Sequence, residues 1–528
     1  MADLYSILPG APLANGGAQE VGNKAWNLMC MARARLPVPP AFVLPTSWCG
    51  RSQLDRQSAL NAALKEGIAR LAAATGLRFG AARRPLIVSV RSGGAVSMPG
   101  MMETVLDVGL NAETVEALIR LTGNPRLAWD SYRRLVQGYA EVVANLPVAP
   151  FDALVTAALA RAEVENERRL DHRALKALTL AMLDCYRALT GAGFPSDPYE
   201  QLTRAAEAVF RSWDAEKAVT YRRLNGISDD AGTAVTVQTM VYGNAGGNSG
   251  AGVGFTRNPA TGAKELYFDF QFNAQGEDVV AGRHLMHDNS RFRAVLPSVW
   301  ARLNDIAHEL EALFGDMQDF EFTVQSGELF LLQTRRAKRT DWAALAIAVD
   351  MVEEGMLKPA DALSRLAGID VDNVVRTCFP SPLPEPLAIA QVAGIGVASG
   401  VIALDPEAVK QLAKTGVNVI LVRRETVTTD IEGMALAAGI LTATGGRTSH
   451  AAVVARQLGK VCLVACPDLD IDLQRRQCRI GTALLNEGDF LSLDGNTGAV
   501  YPGHLSPFGE RPDQALAVIA AWRRSEAA

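Results

Sequence analysis

The sequence predicts an α/β protein built from several domains, and three observations support this. At 528 residues the chain is long enough for two to four domains with sizeable cores. Short β-branched runs such as Leu86–Arg91 and Ala234–Tyr242 predict strands, whereas Ala/Leu-rich segments with apolar residues every three or four positions predict amphipathic helices. Four prolines between Pro380 and Pro386 indicate a semi-rigid tether that leads into a second folded region.

Composition narrows the classes of function. The formal net charge of −5 gives no electrostatic case for nucleic acid or an anionic membrane as a partner. No run of eighteen apolar residues is present, and Met1–Leu4 lacks a basic region followed by an apolar core, so we expect a cytoplasmic protein with no membrane partner. The seven scattered cysteines contain no CxxC pair, and the six histidines form no zinc pattern. A metal, if there is one, is expected to be Mg²⁺ held by carboxylates and phosphates.

Two segments in the first part of the chain suit phosphate binding. Gly22–Leu28 places Lys24 just after a glycine at an expected helix start. The strand Leu86–Arg91 leads Arg91 into a Gly/Ser-rich loop that runs to Thr104, where free amides and a guanidinium would complement phosphate oxygens. From the residues alone, the ordinary alternatives are a solvated surface lysine and a plain surface turn.

The middle of the chain first becomes helical and then returns to strands. From about Asn111 to Asn225 the pattern predicts amphipathic helices, such as Ala153–Arg168 and Arg173–Leu189, and we assign no chemistry to them. Strands resume at Ala234–Tyr242 and are followed by the glycine-rich segment Gly243–Pro259.

A later strand carries paired carboxylates. Asp319 and Glu321 alternate with Phe320 and Phe322, so both carboxylates point to one face. Two carboxylates on one face repel each other unless positive charge lies between them, and a Mg²⁺ ion carried by ATP would supply it. Gln333 and Arg335 repeat this spacing on the next strand. The alternative is a half-buried strand with a hydrated acidic face.

The region after the tether contains a histidine in a suitable place for phosphoryl transfer. The apolar run Ala438–Ala443 predicts a short buried strand, after which two glycines turn the chain towards an Ala/Val-rich helix. Thr448 or Ser449 is well placed to cap that helix, and His450 lies in its first turn. Free amides there favour a phosphoryl group, and a neutral imidazole is a competent nucleophile. The alternative is a histidine with only a capping role.

Several of these segments resemble the phosphoenolpyruvate-utilising enzymes, namely pyruvate phosphate dikinase, phosphoenolpyruvate synthase and their relatives. Thr444–Arg456 resembles the phosphohistidine signature, and Val419–Arg423, Thr429–Met434 and Asn486–Gly498 resemble the dikinase around it. Gly22–Leu28, Ser97–Met102 and the strands from Gln318 to Arg336 resemble its nucleotide-binding domain, a variant of the ATP-grasp fold. The resemblance implies an ATP-grasp domain at 1–340 with a helical subdomain at 111–225, a helical and Pro-rich linker at 341–387, a swivelling β/β/α phosphohistidine domain at 388–503, and a tail at 504–528.

The same resemblance implies the roles of individual residues. His450 would be the phosphorylated nucleophile, assisted by Arg335 and by Thr448, which would hold a phosphoryl oxygen or cap the helix. Mg²⁺ would bind Glu321 and Gln333. The implied ATP ligands are Lys24, Arg91, Ser97, Gly100, Met101, Thr104, Glu277, Asp319, Glu321, Gln333 and Arg335.

By resemblance, His450 would be phosphorylated from ATP with release of AMP. Inorganic phosphate is the slightly preferred co-substrate and water the alternative. The resemblance covers two of the three functional parts of the family and leaves out the barrel that binds pyruvate or phosphoenolpyruvate. We therefore expect a small-molecule acceptor on a separate subunit, such as a barrel. A phosphohistidine carrier that acts on a partner protein and a nucleotide-binding remnant without turnover are the alternatives.

Overall fold

The structure is a computed structural model that describes residues 4–49, 53–96, 98, 101–276, 278, 289–426, 430–445 and 450–527. It confirms the predicted α/β multidomain class. The chain forms two compact units, one made of Met1–Gly250 with Phe320–Arg335 and the other of Ala251–Asp319 with Arg336–Ala528.

The described elements up to residue 276 are strands and helices, with six α-helices in succession between residues 112 and 225. They are β1 (Tyr5–Ile7), α1 (Gly17–Val21), α2 (Asn23–Arg33), β2 (Ala41–Leu44), α3 (Gln53–Thr75), β3 (Arg78–Phe79), β4 (Pro85–Leu86), β5 (Val88–Gly93), β6 (Thr104–Val108), α4 (Ala112–Thr122), α5 (Pro125–Val142), α6 (Ala149–Ala162), α7 (His172–Thr190), α8 (Pro198–Arg211), α9 (Glu216–Asn225), β7 (Ala234–Thr239), β8 (Gly250–Phe255) and β9 (Tyr267–Phe272).

The elements from residue 289 to the tether are α10 (Asn289–Val295), α11 (Pro297–Phe314), β10 (Gln318–Gln325), β11 (Glu328–Arg336), α12 (Asp341–Glu353), α13 (Pro359–Leu366) and β12 (Arg376–Cys378). Those after the tether are β13 (Ala388–Ile389), β14 (Gln391–Gly394), β15 (Val397–Ala403), α14 (Pro406–Ala413), β16 (Val419–Arg423), α15 (Ile431–Leu436), β17 (Gly439–Thr442), α16 (His450–Gln457), β18 (Val461–Val464), β19 (Leu469–Asp472), β20 (Gln477–Ile480), β21 (Ala483–Asn486), β22 (Phe490–Asp494), β23 (Ala499–Pro502), β24 (Phe508–Glu510) and α17 (Asp513–Ala527).

The first unit is organised around a sheet of order β1-β2-β7-β5-β6, in which β5 lies antiparallel between β7 and β6. Val88 and Val90 of β5 and Val235 and Val237 of β7 are buried in one large apolar core, which also takes residues from α3, α5, α7 and α8. The alternate positions Ser89, Arg91, Thr236 and Gln238 occupy the other face of the strands. One face of the sheet therefore supports the helices, and the opposite face carries polar groups.

The helices of residues 112–225 are well capped and contribute to that same core. Asn111 accepts hydrogen bonds from the amides of Glu113 and Thr114, and Thr114 Oγ1 accepts one from the Asn111 amide, so the start of α4 is a capping box. Asp171 caps α7 through the Ala174 amide at 2.8 Å. The predicted helix Ala153–Arg168 corresponds to α6, which ends at Ala162 because Glu163 adopts a left-handed conformation with φ 52°.

In the second unit, the region after the tether is an eight-stranded sheet of order β13-β23-β22-β15-β16-β17-β18-β14. Its four central strands, β15 to β18, run parallel and are connected in turn by α14, α15 and α16. The sheet is apolar on both faces, with separate clusters on each, as expected for parallel strands. The N-terminus of α16, and with it His450, follows the carboxyl end of β17.

The segments on either side of this sheet pack on each other within the second unit. Strand β12 pairs antiparallel with β24, and Ile519 of α17 is buried with residues of α12 and α13. Arg376 joins the two segments, because it bonds Glu510 at 2.7 Å and stacks on the ring of Trp342 at 4.0 Å.

Candidate nucleotide and phosphohistidine sites

The position of Lys24 is set by a close approach between two backbone segments. Gly22 precedes α2 with φ 78° and ψ 152°, and a Cβ atom built on it would lie only 2.1 Å from the Gly93 carbonyl oxygen. The Asn23 amide donates a hydrogen bond to the Gly94 carbonyl at 2.9 Å. Only glycine fits at position 22, so the start of α2, with Lys24 in its first turn, is held against the end of β5.

Arg91 lies on β5 between Thr104 of β6 and Thr236 of β7, its cross-strand partners. Its Nη1 donates a hydrogen bond to Gln238 Oε1 at 3.4 Å. Gln238 is itself buried and donates through Nε2 to the Pro39 carbonyl at 3.2 Å. The sequence reasoning missed Gln238, although the alternation of Thr236 and Gln238 with valines signals a polar face in that strand.

Four of the predicted ATP-site residues are brought together in the first unit. The Lys24 side chain is exposed to solvent, but enough protein surrounds it that desolvation is the largest cause of a lowered pKa. The guanidinium groups of Arg91 and Arg335 lower the pKa further, and the Glu321 carboxylate opposes them. Lys24, Arg91 and Arg335 thus lie near one another, and such a group of cations favours a bound polyanion.

The hairpin of β10 and β11 shows the alternation that the sequence predicts. Phe320 and Phe322 are 0% and 1% exposed, whereas Asp319 and Glu321 between them are only half-buried. On β11, Gln333 is half-buried and Arg335 is exposed. The acidic side chains therefore lie on the face of β10 away from its phenylalanines.

The donor set suits Mg²⁺ brought in with a nucleotide better than a resident ion. Among the described residues, no group of three or more His, Cys, Asp or Glu side chains could hold a metal. Glu321 and Gln333 provide oxygen ligands of the type that Mg²⁺ prefers, and this ion commonly binds through one or two carboxylates with phosphate and water oxygens.

The loop before β6 is only partly described. Met101 is half-buried and packs on a small cluster of Met98, Trp213 and Ala218, whereas Thr104 is exposed at the start of β6. The structure thus places Thr104 directly opposite Arg91. The predicted residues Ser97, Gly100 and Glu277 lie outside the described residues.

The predicted nucleophile begins a helix, as the sequence indicates. His450 is the first residue of α16, and Ala451, Ala452 and Ala455 of that helix are buried against the parallel strands. Before it, the Ala443 amide donates to the Arg423 carbonyl at 3.0 Å, and the Thr444 amide donates to that of Arg424 at 2.9 Å. The strand and the start of the loop are therefore fixed by the neighbouring strand, β16. Thr448 lies outside the described residues.

Comparison with known proteins agrees with the description of the region around Lys24 and of the region around His450. The family model described as "Pyruvate phosphate dikinase, AMP/ATP-binding domain" matches residues 51–295 and 284–356, and "PEP-utilising enzyme, mobile domain" matches residues 416–498. Among the described residues, no helix combines the length and apolar character that a membrane crossing needs.

Curated relatives are similar along almost the whole chain. Pyruvate, phosphate dikinase of Clostridium symbiosum is 42% identical over 494 residues, which cover 92% of this chain and 56% of the relative. Pyruvate, phosphate dikinase of Rhizobium meliloti is 40% identical over 518 residues, which cover 94% of this chain and 57% of the relative. Chloroplastic pyruvate, phosphate dikinase 1 of Arabidopsis thaliana is 40% identical over 528 residues, which cover 98% of this chain and 54% of the relative. The chain spans just over half the length of these relatives.

Proposed function

Because the chain belongs to the pyruvate phosphate dikinase family, with its AMP/ATP-binding domain and its mobile phosphohistidine domain, we propose that it is an ATP-dependent phosphotransferase. His450 takes a phosphoryl group from ATP and passes it to an acceptor bound by a separate subunit or partner. AMP is released, together with pyrophosphate or phosphate.

The observation that carries this proposal is the environment of Lys24. Arg91 and Arg335 come from segments far from Lys24 in the sequence, yet their guanidinium groups lower the pKa of Lys24, while the Glu321 carboxylate raises it. Like charges collected in one place repel one another, and a polyphosphate would relieve that repulsion.

In the proposed reaction a ring nitrogen of His450 attacks the β-phosphorus of ATP. The bond between that phosphorus and the oxygen that bridges to the α-phosphorus breaks, so AMP leaves and the β,γ-pyrophosphoryl group stays on the histidine. Inorganic phosphate, or water, then attacks the γ-phosphorus and yields pyrophosphate, or phosphate, with phosphohistidine. Lys24, Arg91 and Arg335 hold the phosphoryl oxygens and stabilise the charge that develops on them.

Glu321 and Gln333, with Asp319 near them on β10, would hold Mg²⁺ that arrives with ATP. When bound, that ion supplies further neutralisation of the phosphate oxygens and orients them. Glu277, Ser97, Gly100, Met101 and Thr104 complete the proposed nucleotide ligands, and Thr448 is the proposed aid to His450.

The test is incubation of the purified protein with Mg²⁺ and ATP labelled at the β- or the γ-phosphate, with and without inorganic phosphate. We expect acid-labile, base-stable label on the protein from β-labelled ATP, with stoichiometric AMP. Label from γ-labelled ATP should leave as pyrophosphate if phosphate is the co-substrate and as phosphate if water is.

Absence of both protein-bound label and AMP would contradict the phosphotransferase proposal and leave a nucleotide-binding remnant. If label forms, the phosphorylated protein becomes the reagent for finding the acceptor. Discharge to pyruvate or another small molecule in the presence of a second protein would support a split enzyme, whereas transfer to a partner protein's own side chain would support a carrier.

A further inference from the structure

The proposed ATP site depends on the separation between helix α2, which carries Lys24, and strand β11, which carries Gln333 and Arg335. The Gly22 turn fixes the start of the helix against β5. Buried residues such as Leu28 and Met31 also pack α2 within the unit. Because apolar packing is not directional, a second polar contact sets the direction in which Lys24 points.

Asn27 provides that second contact. Its side chain is 8% exposed, and its Nδ2 donates a hydrogen bond to the backbone carbonyl of Thr334 at 2.8 Å. Thr334 lies between Gln333 and Arg335 in β11. Asn27 is three residues after Lys24, so the two side chains are neighbours on one side of the helix.

We propose that Asn27 is a positioning residue for phosphoryl transfer, an inference that rests on the proposed function. Its hydrogen bond holds Lys24 at the distance from Gln333 and Arg335 that lets the lysine and the arginine contact the same polyphosphate. Asn27 acts through Lys24 and does not itself touch ATP. Misplacement of a catalytic group by about 1 Å can lower the reaction rate by on the order of a hundredfold. We therefore expect this one buried hydrogen bond to affect the rate of phosphoryl transfer.

The competing explanation is that the bond only stabilises the fold, and the variant Asn27→Asp separates the two. It keeps the size of the side chain but replaces the donor with an acceptor that faces the Thr334 carbonyl. We expect the single-turnover rate of His450 phosphorylation to fall roughly ten- to a hundredfold. The apparent affinity for ATP should change less, because the ligands themselves remain.

A double-mutant cycle with Lys24→Met provides the decisive readout. If Asn27 acts by placing Lys24, then Asn27→Asp should lower the rate less than about twofold once Lys24 has been replaced. Gln201→Glu is the matched control, because Gln201 is fully buried in the helical region and donates through Nε2 to the Leu110 and Pro195 carbonyls at 2.9 and 2.8 Å. It should lower the melting temperature without coupling to Lys24→Met.

The acid form of Asn27→Asp offers a second readout. A protonated carboxyl can donate to the Thr334 carbonyl where the carboxylate cannot, so the rate relative to wild type should rise as the pH falls. Asn27→Ser, which keeps a shorter donor, is the substitute if Asn27→Asp does not fold.

Equal rate reductions by Asn27→Asp with and without Lys24, or no reduction at all, would overturn the inference. Failure of the wild-type protein to form phosphohistidine would instead overturn the proposed function, so the two failures are distinguishable.

Discussion

The nucleotide-binding region and the phosphohistidine region use charge in different ways. In the first, the guanidinium groups of Arg91 and Arg335 lie near Lys24 and lower its pKa, and the Glu321 carboxylate opposes them. In the second, Arg476 is paired with both Asp405 and Glu487, and Lys410 bonds Glu407 and Glu432 at 2.8 Å each. Three cations are gathered at the first site, whereas at these positions of the second region each cation is bonded to two carboxylates.

The difference shows where a ligand is needed. Exposed ion pairs contribute modestly to the fold, whereas cations that lie close together repel one another, and an anionic ligand would relieve that repulsion. The regions also differ in assembly, because the cations come from distant segments, whereas His450 comes soon after one strand in the chain. The proposed nucleotide site therefore depends on tertiary structure, and the proposed nucleophile belongs to a local motif.

The largest expected effect is that of His450→Ala, which should abolish protein-bound label completely. The imidazole is the only group at this position that can carry the phosphoryl group, whereas the nucleotide site, which lies in a different part of the sequence, should remain intact. Binding of a non-hydrolysable ATP analogue, measured by calorimetry, should therefore be unchanged. Residual acid-labile label on this variant would show that another residue is phosphorylated.

Asp130→Asn should give the next largest effect, on stability alone. Asp130 is 3% exposed and contacts Arg133 at 3.0 Å and Arg134 at 3.1 Å, and Asn244 donates to it at 3.2 Å. Breaking a buried ion pair by removing one partner costs about 3–5 kcal/mol in the free energy of unfolding. Urea unfolding followed by circular dichroism would measure this loss, and label formation by the folded fraction should be normal.

The loss of stability in Asp130→Asn should also depend on pH. Burial would raise the pKa of Asp130, but Arg134, Arg133 and Arg126 outweigh burial and hold the pKa below its ordinary value. A depressed carboxyl pKa contributes stability that is present above the unfolded value of about 3.9 and is lost as the pH falls through the folded value. The difference between wild type and Asp130→Asn should therefore shrink below about pH 4. A constant difference would contradict the charge explanation.

Lys24→Met should have a slightly smaller effect, and it should fall on the reaction instead of the fold. Removing one preorganised donor from a charged transition state lowers rates about 10²–10³-fold. Because burial and two arginines lower the pKa of Lys24, its charged form is disfavoured in the folded protein without ligand. The melting temperature without ATP should therefore stay the same or rise. A marked fall in that temperature would mean that Lys24 serves the structure.

The comparison of these two regions also explains which features of the structure could be predicted from the sequence. The motif around His450 is local, so its strand and helix were predictable from contiguous residues, and the helix does begin at His450. Residues 446–449 between them lie outside the described part of the chain. The two phenylalanines of β10 were likewise predictable, because alternation is a property of one strand.

The parts that could not be predicted depend on contacts between distant segments. Nothing in the sequence near Asn27 indicates that its amide reaches the Thr334 carbonyl, and nothing near Gln238 shows that it accepts a hydrogen bond from Arg91. The gathering of Lys24, Arg91, Glu321 and Arg335 was expected only through a family resemblance. Their spacing in the chain alone does not place them together.

The smallest expected effect, from Arg476→Ala, sharpens the contrast with Asp130. Arg476 bonds Glu487 through Nε at 2.8 Å and also pairs with Asp405, but its side chain is 38% exposed. Water can solvate the carboxylates that the substitution leaves behind, so the loss should be about 0–1 kcal/mol in the free energy of unfolding. Urea titrations should show this loss shrinking from roughly 0.01 M to 1 M salt, because screening weakens exposed pairs. A salt-independent loss as large as that of Asp130→Asn would mean that matched charge in the phosphohistidine region is as critical to the fold as the buried pair.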